Sequence, residues 1–342
     1  MNKKITLKQL AVISNFSVST ISKALSDNNE ISTETKKKIK EIAKLYNYKP
    51  NAMARSLKSK KTKTIGVIIP NILAHYFAKV LVGIEHEVSR RGYNIITCIS
   101  DESYKKEVKS IEMLASGSVD GFLVSLSKES QIKNKYDHFT TVIDDGLPVV
   151  MFDRTSNAVK CDKVIINDFE AAYNATNALL ESSCKKIIFV SPIGGTNVGI
   201  ERANGYRKAI NDYFKDTVKP EVFNFTDYTV FTDKLDAYLE KNRPDGIVTS
   251  DELSAIFAMN LAISKGYKIP EEISIIGFTD GILSRNSNPP LTIVNQNETE
   301  LGRIAAATLI KRIEGKAQSE FITHVVETAI IFRKSSKKIV AV

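Results

Sequence analysis

The sequence contains few of the residues and motifs from which metal or catalytic sites are built. Its four histidines form no cluster, and Cys98, Cys161 and Cys184 lack the paired spacing of a zinc site. Gly194 and Gly195 form an isolated turn, and the sequence contains neither a nucleophile elbow nor a cofactor motif. We therefore predict no metal, no cofactor and no enzymatic activity. The scattered thiols suit a reducing cytoplasm.

Long apolar segments are missing as well. The residues before Leu7 lack the apolar region of a signal peptide, and no run of the chain approaches the length of a transmembrane helix. We therefore expect a cytoplasmic protein without membrane contact. This expectation excludes an exported solute-binding protein, which needs a signal peptide.

Negative charge is scarce at the N-terminal end. Residues 1–63 carry 15 Lys and Arg against 4 Asp and Glu, a net charge of +11. Because the whole chain is +9, residues 64–342 are left with −2. A basic head on a nearly neutral body is typical of proteins that bind a polyanion. A membrane surface also attracts cations, but this head lacks the wide apolar face of an interfacial anchor.

Helix-start signals and apolar spacing predict three short helices in the basic region. Thr6 and Gln9 form a capping-box pattern at the start of the first helix. Asn15 tolerates the backbone of a tight turn, and Ser17 then caps a second helix that runs from about residue 18 to residue 25. Ser32 or the next residue caps the third helix, which carries an apolar stripe up to Tyr46.

This order of helices fits a helix-turn-helix, in which the start of the second helix enters the major groove of DNA. With the apolar residues of that helix turned inward, Ser19, Ser22 and Lys23 face outward and Val18 lies at the edge. Such side chains can contact base edges, a thymine methyl group or phosphates. A small helical domain that binds another protein would show the same helices, so this alternative stays open at this point.

A short segment connects the basic region to the rest of the chain. Residues 50–58 predict a helix of at most two turns, capped by Asn51, which is too short to be stable alone and suits a hinge that folds on binding. Small Ala54 and apolar Leu57 fit a wedge between base steps in the minor groove. A flexible basic linker with Leu57 packed against the body fits equally well.

The remaining residues, 64–342, are long enough for two ordinary domains. The predicted strands of a first series are 64–70, 94–99, 121–124 and 149–152, and those of a second series are 164–166, 187–191, 246–250 and 273–278. Helical patterns lie between them, near 77–88, 108–114, 169–182, 201–213, 230–241 and 252–265. Two successive series predict an α/β body of two parallel-sheet subdomains.

Two parallel sheets that face each other form a ligand cleft beyond the carboxyl ends of their strands. The residues expected there are His75, Tyr76, Phe77, Asp101, Asp153, Arg154, Asp168, Pro192, Arg202, Ser250, Asp251, Thr279 and Asp280. Carboxylates, an arginine and aromatic rings suit a polar, hydroxyl-rich ligand. Structural roles stay open for single residues, because Asp168 and Asp251 are placed as helix N-caps and Tyr76 or Phe77 fit the core.

Three segments together, 17–25, 47–51 and 54–57, resemble the lactose/galactose repressor family of bacterial transcription regulators. The strand that begins at Ile65 follows at that family's spacing, and the resemblance covers nearly the whole chain. It implies a dimer on a palindromic operator. The chain departs from the family pattern at Asn15, Lys23 and Ser26, where Gly, Arg and Asn are usual. Because Lys lacks the bidentate fork of Arg, the operator sequence does not transfer.

The resemblance implies DNA-contacting roles within the head and hinge. Positions that match Val18, Ser19 and Lys23 contact bases in that family, and Leu57 matches the minor-groove wedge. The other predicted DNA-binding residues are Thr6, Ser17, Thr20, Ser22, Ser32, Thr35, Asn51 and Ala54.

In that family the body resembles a periplasmic sugar-binding protein. Arg202 matches the family's most dependable effector contact. The other positions that match effector contacts of some members are Tyr76, Phe77, Asp153 and Asp168. Thr279 and Ser250 stand where Asp and Asn are common, which argues against a simple hexose because a hydroxyl makes fewer and weaker bonds. The resemblance implies a sugar or sugar derivative as effector.

The predicted fold is therefore a three-helix head and hinge helix followed by a periplasmic-binding-protein-like body. The predicted domains are a DNA-binding domain at 1–49, a hinge and linker at 50–62, and an effector-binding and dimerisation domain at 63–342. The last domain consists of two subdomains. The N-subdomain comprises about 63–162 and 296–323, and the C-subdomain comprises about 163–292 and 324–342. No leucine heptad follows Arg333, so we expect a homodimer rather than a tetramer. The apolar stripes of 77–90 and 111–114 fit either the core or a dimer face.

The expected function is transcription regulation, with repression favoured on family precedent, under the control of a small polar effector in the cleft. Two alternatives stay open. A partner protein could control the same DNA-binding activity in place of a ligand. The chain could also be a receptor or enzyme that the basic head only localises, although no catalytic group of residues is visible.

Overall fold

The computed structural model describes residues 5–48, 61–226 and 228–337, and the chain divides into two compact units, one up to residue 62 and the other from residue 63. We call them the head and the body. The predicted hinge contacts Asn51, Ala54 and Leu57 lie outside the described residues. Among the helices that are described, none is long and apolar enough to cross a membrane.

The described part of the head consists of three helices, as the sequence predicts. Helix α1 spans Leu7–Ser14, α2 spans Val18–Leu25 and α3 spans Thr33–Leu45. The capping box is present, because Thr6 and Gln9 bond to each other's backbone N–H groups. The core is formed by Leu10, Ile21, Ala24, Ile39 and Ala43.

Local backbone signals set the helix ends of the head. Ser17 and Ser32 cap α2 and α3, each by accepting a hydrogen bond from a backbone N–H group. Asn15 has a φ of 56°, which a side-chain amide tolerates better than most groups. The prediction was wrong for Tyr46, which is 45% exposed because α3 ends just before it; Tyr48 packs against the core in its place.

Within the described residues, the body contains two six-stranded sheets. The first is built from β1 (Thr64–Ile69), β2 (Asn94–Ile99), β3 (Phe122–Val124), β4 (Val149–Phe152), β5 (Asp162–Ile166) and β11 (Thr323–Val326), in the all-parallel order β11-β5-β4-β3-β1-β2. The second is built from β6 (Ile187–Ser191), β7 (Glu221–Asn224), β8 (Gly246–Thr249), β9 (Ser274–Phe278), β10 (Thr292–Asn295) and β12 (Ala329–Ile331), in the order β12-β10-β9-β8-β6-β7, with only β12 antiparallel.

Helices of the body cover both faces of these sheets, so each sheet separates two apolar cores. They are α4 (His75–Arg90), α5 (Tyr104–Ala115), α6 (Lys128–Lys133), α7 (Asp137–Asp144), α8 (Asp168–Glu181), α9 (Asn197–Phe214), α10 (Tyr228–Asn242), α11 (Glu252–Ser264), α12 (Ile282–Asn286) and α13 (Glu298–Ile313). The predicted α/β class with two parallel-dominated sheets is confirmed.

The assignment of two strands to the sheets differs from the prediction. The sequence predicts that β5 opens the second sheet, but β5 pairs with β4 in the first sheet, where Val150 lies opposite Asp162. Strand β11 also joins the first sheet, beside β5, although 324–342 was expected in the other subdomain. Parallel neighbours in a sheet are usually connected by a helix, but residues 153–161 between β4 and β5 form none. The sequence pattern therefore did not indicate that these two strands pair.

The apolar stripe of α4 belongs mainly to the core. Its residues Phe77, Val80, Ile84 and Val88 are buried against the first sheet. Helix α13 approaches α4 so closely that a Cβ atom on Gly83 would lie 1.9 Å from the Thr299 carbonyl oxygen. A Cβ on Gly302 would lie 2.1 Å from the Val80 carbonyl oxygen. Both positions therefore need glycine for this helix contact.

Candidate functional site

The head presents its predicted base-contacting residues at the start of α2. Val18 is 41% exposed and Ser19 is exposed, whereas Thr20 and Ser22 are half-buried. The Ser17 hydroxyl oxygen accepts a hydrogen bond from the Thr20 N–H group at 3.0 Å, which fixes the first turn of α2. A small, polar helix start of this kind fits the major groove. The individual DNA contacts stay predictions.

Lys23, the predicted base-contacting cation, is ion-paired with Glu30. The two side chains are 37% and 63% exposed, so water surrounds the pair. The Lys23 ammonium group lowers the pKa of the Glu30 carboxyl. Because an exposed ion pair contributes little stability, Lys23 can leave Glu30 for a base or a phosphate at small cost.

Several predicted phosphate contacts lie at helix starts in the head. Thr6 accepts a hydrogen bond from the Gln9 N–H group at 3.2 Å, and Ser32 accepts one from the Thr35 N–H group at 3.3 Å. The Ser32 hydroxyl also donates to Thr35 Oγ1 at 2.9 Å. These hydroxyls hold the N-termini of α1 and α3, where free backbone N–H groups favour an anion.

Arg202 is the centre of a buried polar cluster in the body. Its Nε donates to Asp168 Oδ1 at 2.7 Å, one terminal nitrogen donates to the Ser250 carbonyl oxygen at 2.6 Å, and the other donates to Gln296 Oε1 at 2.6 Å. The guanidinium also lies over the Phe278 ring, 4.1 Å from its centroid. Arg202 is only 3% exposed and joins α8 to the ends of β8 and β10.

Close packing of two helices brings Arg202 to its partners. Thr196 caps α9 by accepting a hydrogen bond from the Gly199 N–H group at 3.1 Å. A Cβ atom on Gly205 would lie 2.1 Å from the carbonyl oxygen of Phe169, so α8 and α9 nearly touch there. Because Arg202 is one helical turn before Gly205, this contact places its guanidinium beside the start of α8.

Burial strongly affects two carboxyl groups of the cluster. It raises the pKa of Asp168 to about 6, against the opposing effect of Arg202. It also raises the pKa of Asp153, which accepts a hydrogen bond from the Ser125 hydroxyl at 3.3 Å. Asp153 adopts a φ of 58° directly after β4, and this turns the chain at the carboxyl end of the strand. A guanidinium that bonds to one buried carboxyl and acts electrostatically on a second suits a ligand with several hydroxyl groups.

Two hydroxyl groups in this region are buried. The Ser250 hydroxyl lacks a hydrogen-bond partner among the described residues, and the Tyr76 phenol faces only the Asp153 carboxylate. Burial and the nearby Asp153 carboxylate raise the pKa of Tyr76 far above its ordinary value, so the phenol keeps its hydrogen. An unpaired buried hydroxyl is costly, and a polar ligand would relieve that cost.

Sequence reasoning missed Gln296, although it is central to the cluster. Its Nε2 donates to Thr279 Oγ1 at 2.9 Å, while its Oε1 accepts from Arg202. Gln296 follows β10, and Thr279 follows the neighbouring strand β9. The carboxyl end of β10 was the available signal, because parallel neighbours end at the same sheet edge.

Two predicted effector contacts lie away from this cluster. Asp101 is ion-paired with Lys106 at 2.6 Å, and its side chain is 72% exposed. Pro192 offers its carbonyl oxygen to the Lys128 ammonium group at 3.0 Å. Neither residue contacts Arg202 through a hydrogen bond. A third, Phe77, is buried in the core, where its ring meets the Tyr76 ring edge-on with centroids 5.1 Å apart.

Two other candidate carboxylates have structural roles. Asp251 caps α11 by accepting a hydrogen bond from the Ser254 N–H group at 2.9 Å. This is the N-cap role that the sequence predicts as an alternative to ligand binding. Asp280 is ion-paired with Arg285 and Arg333, which lower the pKa of its carboxyl to about 2. In the part of the chain that is described, no three His, Cys, Asp or Glu residues are grouped to hold a metal ion.

Polar contacts join the two subdomains around the cleft. Lys79 on α4 donates to the Asp280 carbonyl oxygen of the second subdomain at 3.4 Å, and it also donates to Glu298 of its own subdomain at 2.8 Å. Gln131 on α6 donates from Nε2 to Asn197 Oδ1, on α9, at 2.7 Å. A change in the angle between the subdomains would have to break contacts of this kind.

Known proteins share both the head and the body. The family described as bacterial regulatory proteins, lacI family, matches residues 6–51, and the periplasmic binding protein-like domain matches residues 176–336. The HTH-type transcriptional repressor PurR of Mannheimia succiniciproducens is 30% identical over 98% of this chain and 99% of that protein. The chain belongs to the lacI family of bacterial regulatory proteins.

Two further similarities concern the whole length of the chain. The ribose operon repressor of Haemophilus influenzae is 28% identical over 96% of this chain and 98% of that protein. A solved structure of the lac repressor dimer bound to operator and the anti-inducer ONPF shares the fold, with a TM-score of 0.84 at 17% identity over 98% and 99% of the two chains. The predicted family and fold class are confirmed: the chain is a transcriptional repressor of this family with a ligand-binding domain, and it is not an enzyme.

Proposed function

We propose that this repressor binds a palindromic operator as a homodimer, and that a small polar effector in the cleft at Arg202 sets its affinity for the operator. The effector is a sugar or sugar derivative. It contacts Arg202, Asp168, Asp153 and the Tyr76 and Ser250 hydroxyls. A ligand with differential affinity for two arrangements of the subdomains shifts the protein between them, and so changes operator binding.

The observation that carries the effector proposal is the buried Arg202 cluster with the unsatisfied Ser250 hydroxyl. Arg202 and Asp168 are both less than 10% exposed, the Ser250 hydroxyl beside them has no partner among the described residues, and the Tyr76 phenol has only the Asp153 carboxylate. Buried polar groups without partners lower the stability of a protein core, whereas in a binding site they form hydrogen bonds with the ligand. A hydroxyl-rich ligand supplies donors for the carboxylates and acceptors for the two hydroxyls. The name of the ribose operon relative also favours a sugar.

The head supports operator binding through its charge and its helix starts. The excess positive charge lies within residues 1–63, and Val18 and Ser19 are exposed at the first turn of α2. We assign base contacts to Val18, Ser19 and Lys23, and phosphate contacts to the hydroxyls at the three helix starts. The hinge contacts at Asn51, Ala54 and Leu57 belong to the same proposal.

Exposed apolar side chains on both subdomains support a homodimer. On the first subdomain they are Val82, Ile96, Ile99 and Met113, and on the second they are Leu253, Phe257, Ile282 and Leu283. Each is at least 38% exposed, and apolar surface on both subdomains favours contact with a second protein surface. A second copy of the chain would bring two heads to the two half-sites of a palindrome.

A gel-shift titration on DNA upstream of the protein's own gene tests this function. We expect a specific complex that weakens steeply as salt rises, and a shift in affinity with at least one sugar from a metabolite panel. Failure to bind any palindromic fragment, or binding without salt dependence, would overturn the DNA-binding proposal. Specific DNA binding with no thermal-shift response to any metabolite would favour control by a partner protein.

A further inference from the structure

A second pocket lies between the subdomains, apart from the hydrogen bonds of Arg202, and both polar side chains and the apolar Phe225 and Val230 line it. It is a cavity of about 450 Å³. Lys128, at the start of α6, forms one wall, and the turn Gly194–Gly195 and the segment Asn224–Thr226 form the others, at the carboxyl ends of β6 and β7. Lys234 on α10 completes the lining with a second ammonium group. The pocket thus occupies the edge of the sheet at which ligands of parallel sheets bind.

The two glycines let polar groups approach the backbone closely in this pocket. A Cβ atom on Gly194 would lie 2.1 Å from Asn224 Oδ1, so the carboxamide of Asn224 sits directly against this turn. A Cβ on Gly195 would lie 3.2 Å from the Cε atom of Lys128. Glycine at both positions therefore leaves room for a lysine stem and an amide beside exposed backbone. The sequence reveals only an isolated turn here.

The electrostatics of the pocket favour an anion. Among the described residues that line it, two are lysines and none is acidic. Burial, and then the neighbouring Arg154, lower the pKa of Lys128, while Glu102 opposes the shift. Glu102 itself binds Arg154 through both carboxylate oxygens, at 2.8 and 2.6 Å. The Lys128 ammonium donates to the Pro192 carbonyl oxygen at 3.0 Å and forms no salt bridge among the described residues, while the Lys128 backbone N–H group donates to Glu102 Oε2 at 2.8 Å.

We infer that this pocket binds the phosphate group of a phosphorylated sugar, with Lys128 and Lys234 as its cationic contacts and the Asn224 amide and the Gly194–Gly195 backbone as donors. The inference rests on the proposed function, because it extends the effector site at Arg202 to a charged substituent. An effector that reaches both places would hold its hydroxyl groups at the Arg202 cluster and its phosphate between α6 and α10. Lys128 comes from one subdomain and Lys234 from the other, so the phosphate would bridge the two.

Calorimetric titration of the full chain, without DNA, tests the pocket. The probes are inorganic phosphate alone and the matched pairs ribose with ribose 5-phosphate and glucose with glucose 6-phosphate, at constant ionic strength. We expect inorganic phosphate to bind, and one phosphorylated sugar to bind about tenfold or more tightly than its unphosphorylated partner. The double variant Lys128→Gln/Lys234→Gln should lose both effects.

Lys241→Gln is the matched control, because it removes the same charge from an exposed position two turns further along α10. It should keep both effects. The inference is overturned if phosphate does not bind, if the double variant binds it as well as the wild type does, or if inorganic phosphate binds as tightly as every sugar phosphate, which would indicate a free anion site only. The inorganic phosphate measurement depends on neither operator binding nor sugar binding, so a failure of the pocket is distinguishable from a failure of the proposed effector or operator binding.

Discussion

The head and the cleft use charged side chains in opposite ways. In the head, Lys23 and Glu30 pair in water, with 37% and 63% of their side chains exposed. In the cleft, Arg202 and Asp168 pair with only 4% and 9% exposed. Water screens the first pair, whereas the second depends on every hydrogen bond around it. Substitutions in the head should therefore change DNA binding with little effect on folding, and substitutions in the cleft should change folding and ligand binding together.

The largest expected effect comes from Arg202→Ala. This change leaves the buried Asp168 carboxyl and the Gln296 amide without their partner. We expect the free energy of unfolding to fall by about 3–5 kcal/mol, measured by urea unfolding of the full chain. Arg207→Ala is the control on the same helix, because the Arg207 side chain is exposed and donates a hydrogen bond to the nearby Asn204 side chain. Similar losses in the two variants would contradict a special role for the cluster.

The pH dependence of stability tests the burial of Asp168. Because its pKa is raised from 3.8 to about 6, the folded chain holds this proton more tightly than the unfolded chain does. The contribution of Asp168 to the free energy of unfolding should thus decrease as pH rises from 4 to 6. Relative to Asp168→Asn, the wild type should lose roughly 3 kcal/mol across this window. Parallel pH profiles for the two proteins would show that the carboxyl is not buried as described.

In the head, Lys23→Ala should weaken operator binding without loss of folding. Removal of one base or phosphate contact costs about 1–3 kcal/mol of binding free energy. A phosphate contact would also reduce the slope of log affinity against log salt by about 1. Fluorescence anisotropy at several salt concentrations measures both quantities, and circular dichroism checks the fold. An unchanged affinity would remove Lys23 from the interface.

The smallest expected effect belongs to Glu30→Gln. Lys23 must leave Glu30 before it contacts DNA, and the variant frees it in advance. We expect operator affinity to rise a few-fold at low salt and the gain to disappear at high salt, because screening weakens the ion pair. The double variant Lys23→Ala/Glu30→Gln should show no such gain. A gain that persists in the double variant would assign the effect to net charge instead of the pair.

Local signals explain which parts of the structure the sequence predicts well. The caps at Thr6, Ser17 and Ser32 depend on neighbours within three residues, so the head helices could be predicted almost to the residue. A strand end likewise pointed to Asp168, whereas Arg202 was indicated by the family resemblance. The pairing of β5 with β4 was missed because no helix separates these consecutive strands, and strand-helix alternation is the local signal of parallel pairing. The contact of Gln296 with Arg202 joins residues far apart in the chain, and its only local signal was the carboxyl end of β10.

Operator affinity of the full chain, measured by fluorescence anisotropy with and without each metabolite that binds the body, tests most directly whether the cleft controls the head. We expect at least one metabolite to change the affinity for specific DNA by about fivefold or more, and operator DNA to change the affinity for that metabolite by the same factor. Operator affinity that stays constant with every metabolite bound would contradict ligand control of this repressor.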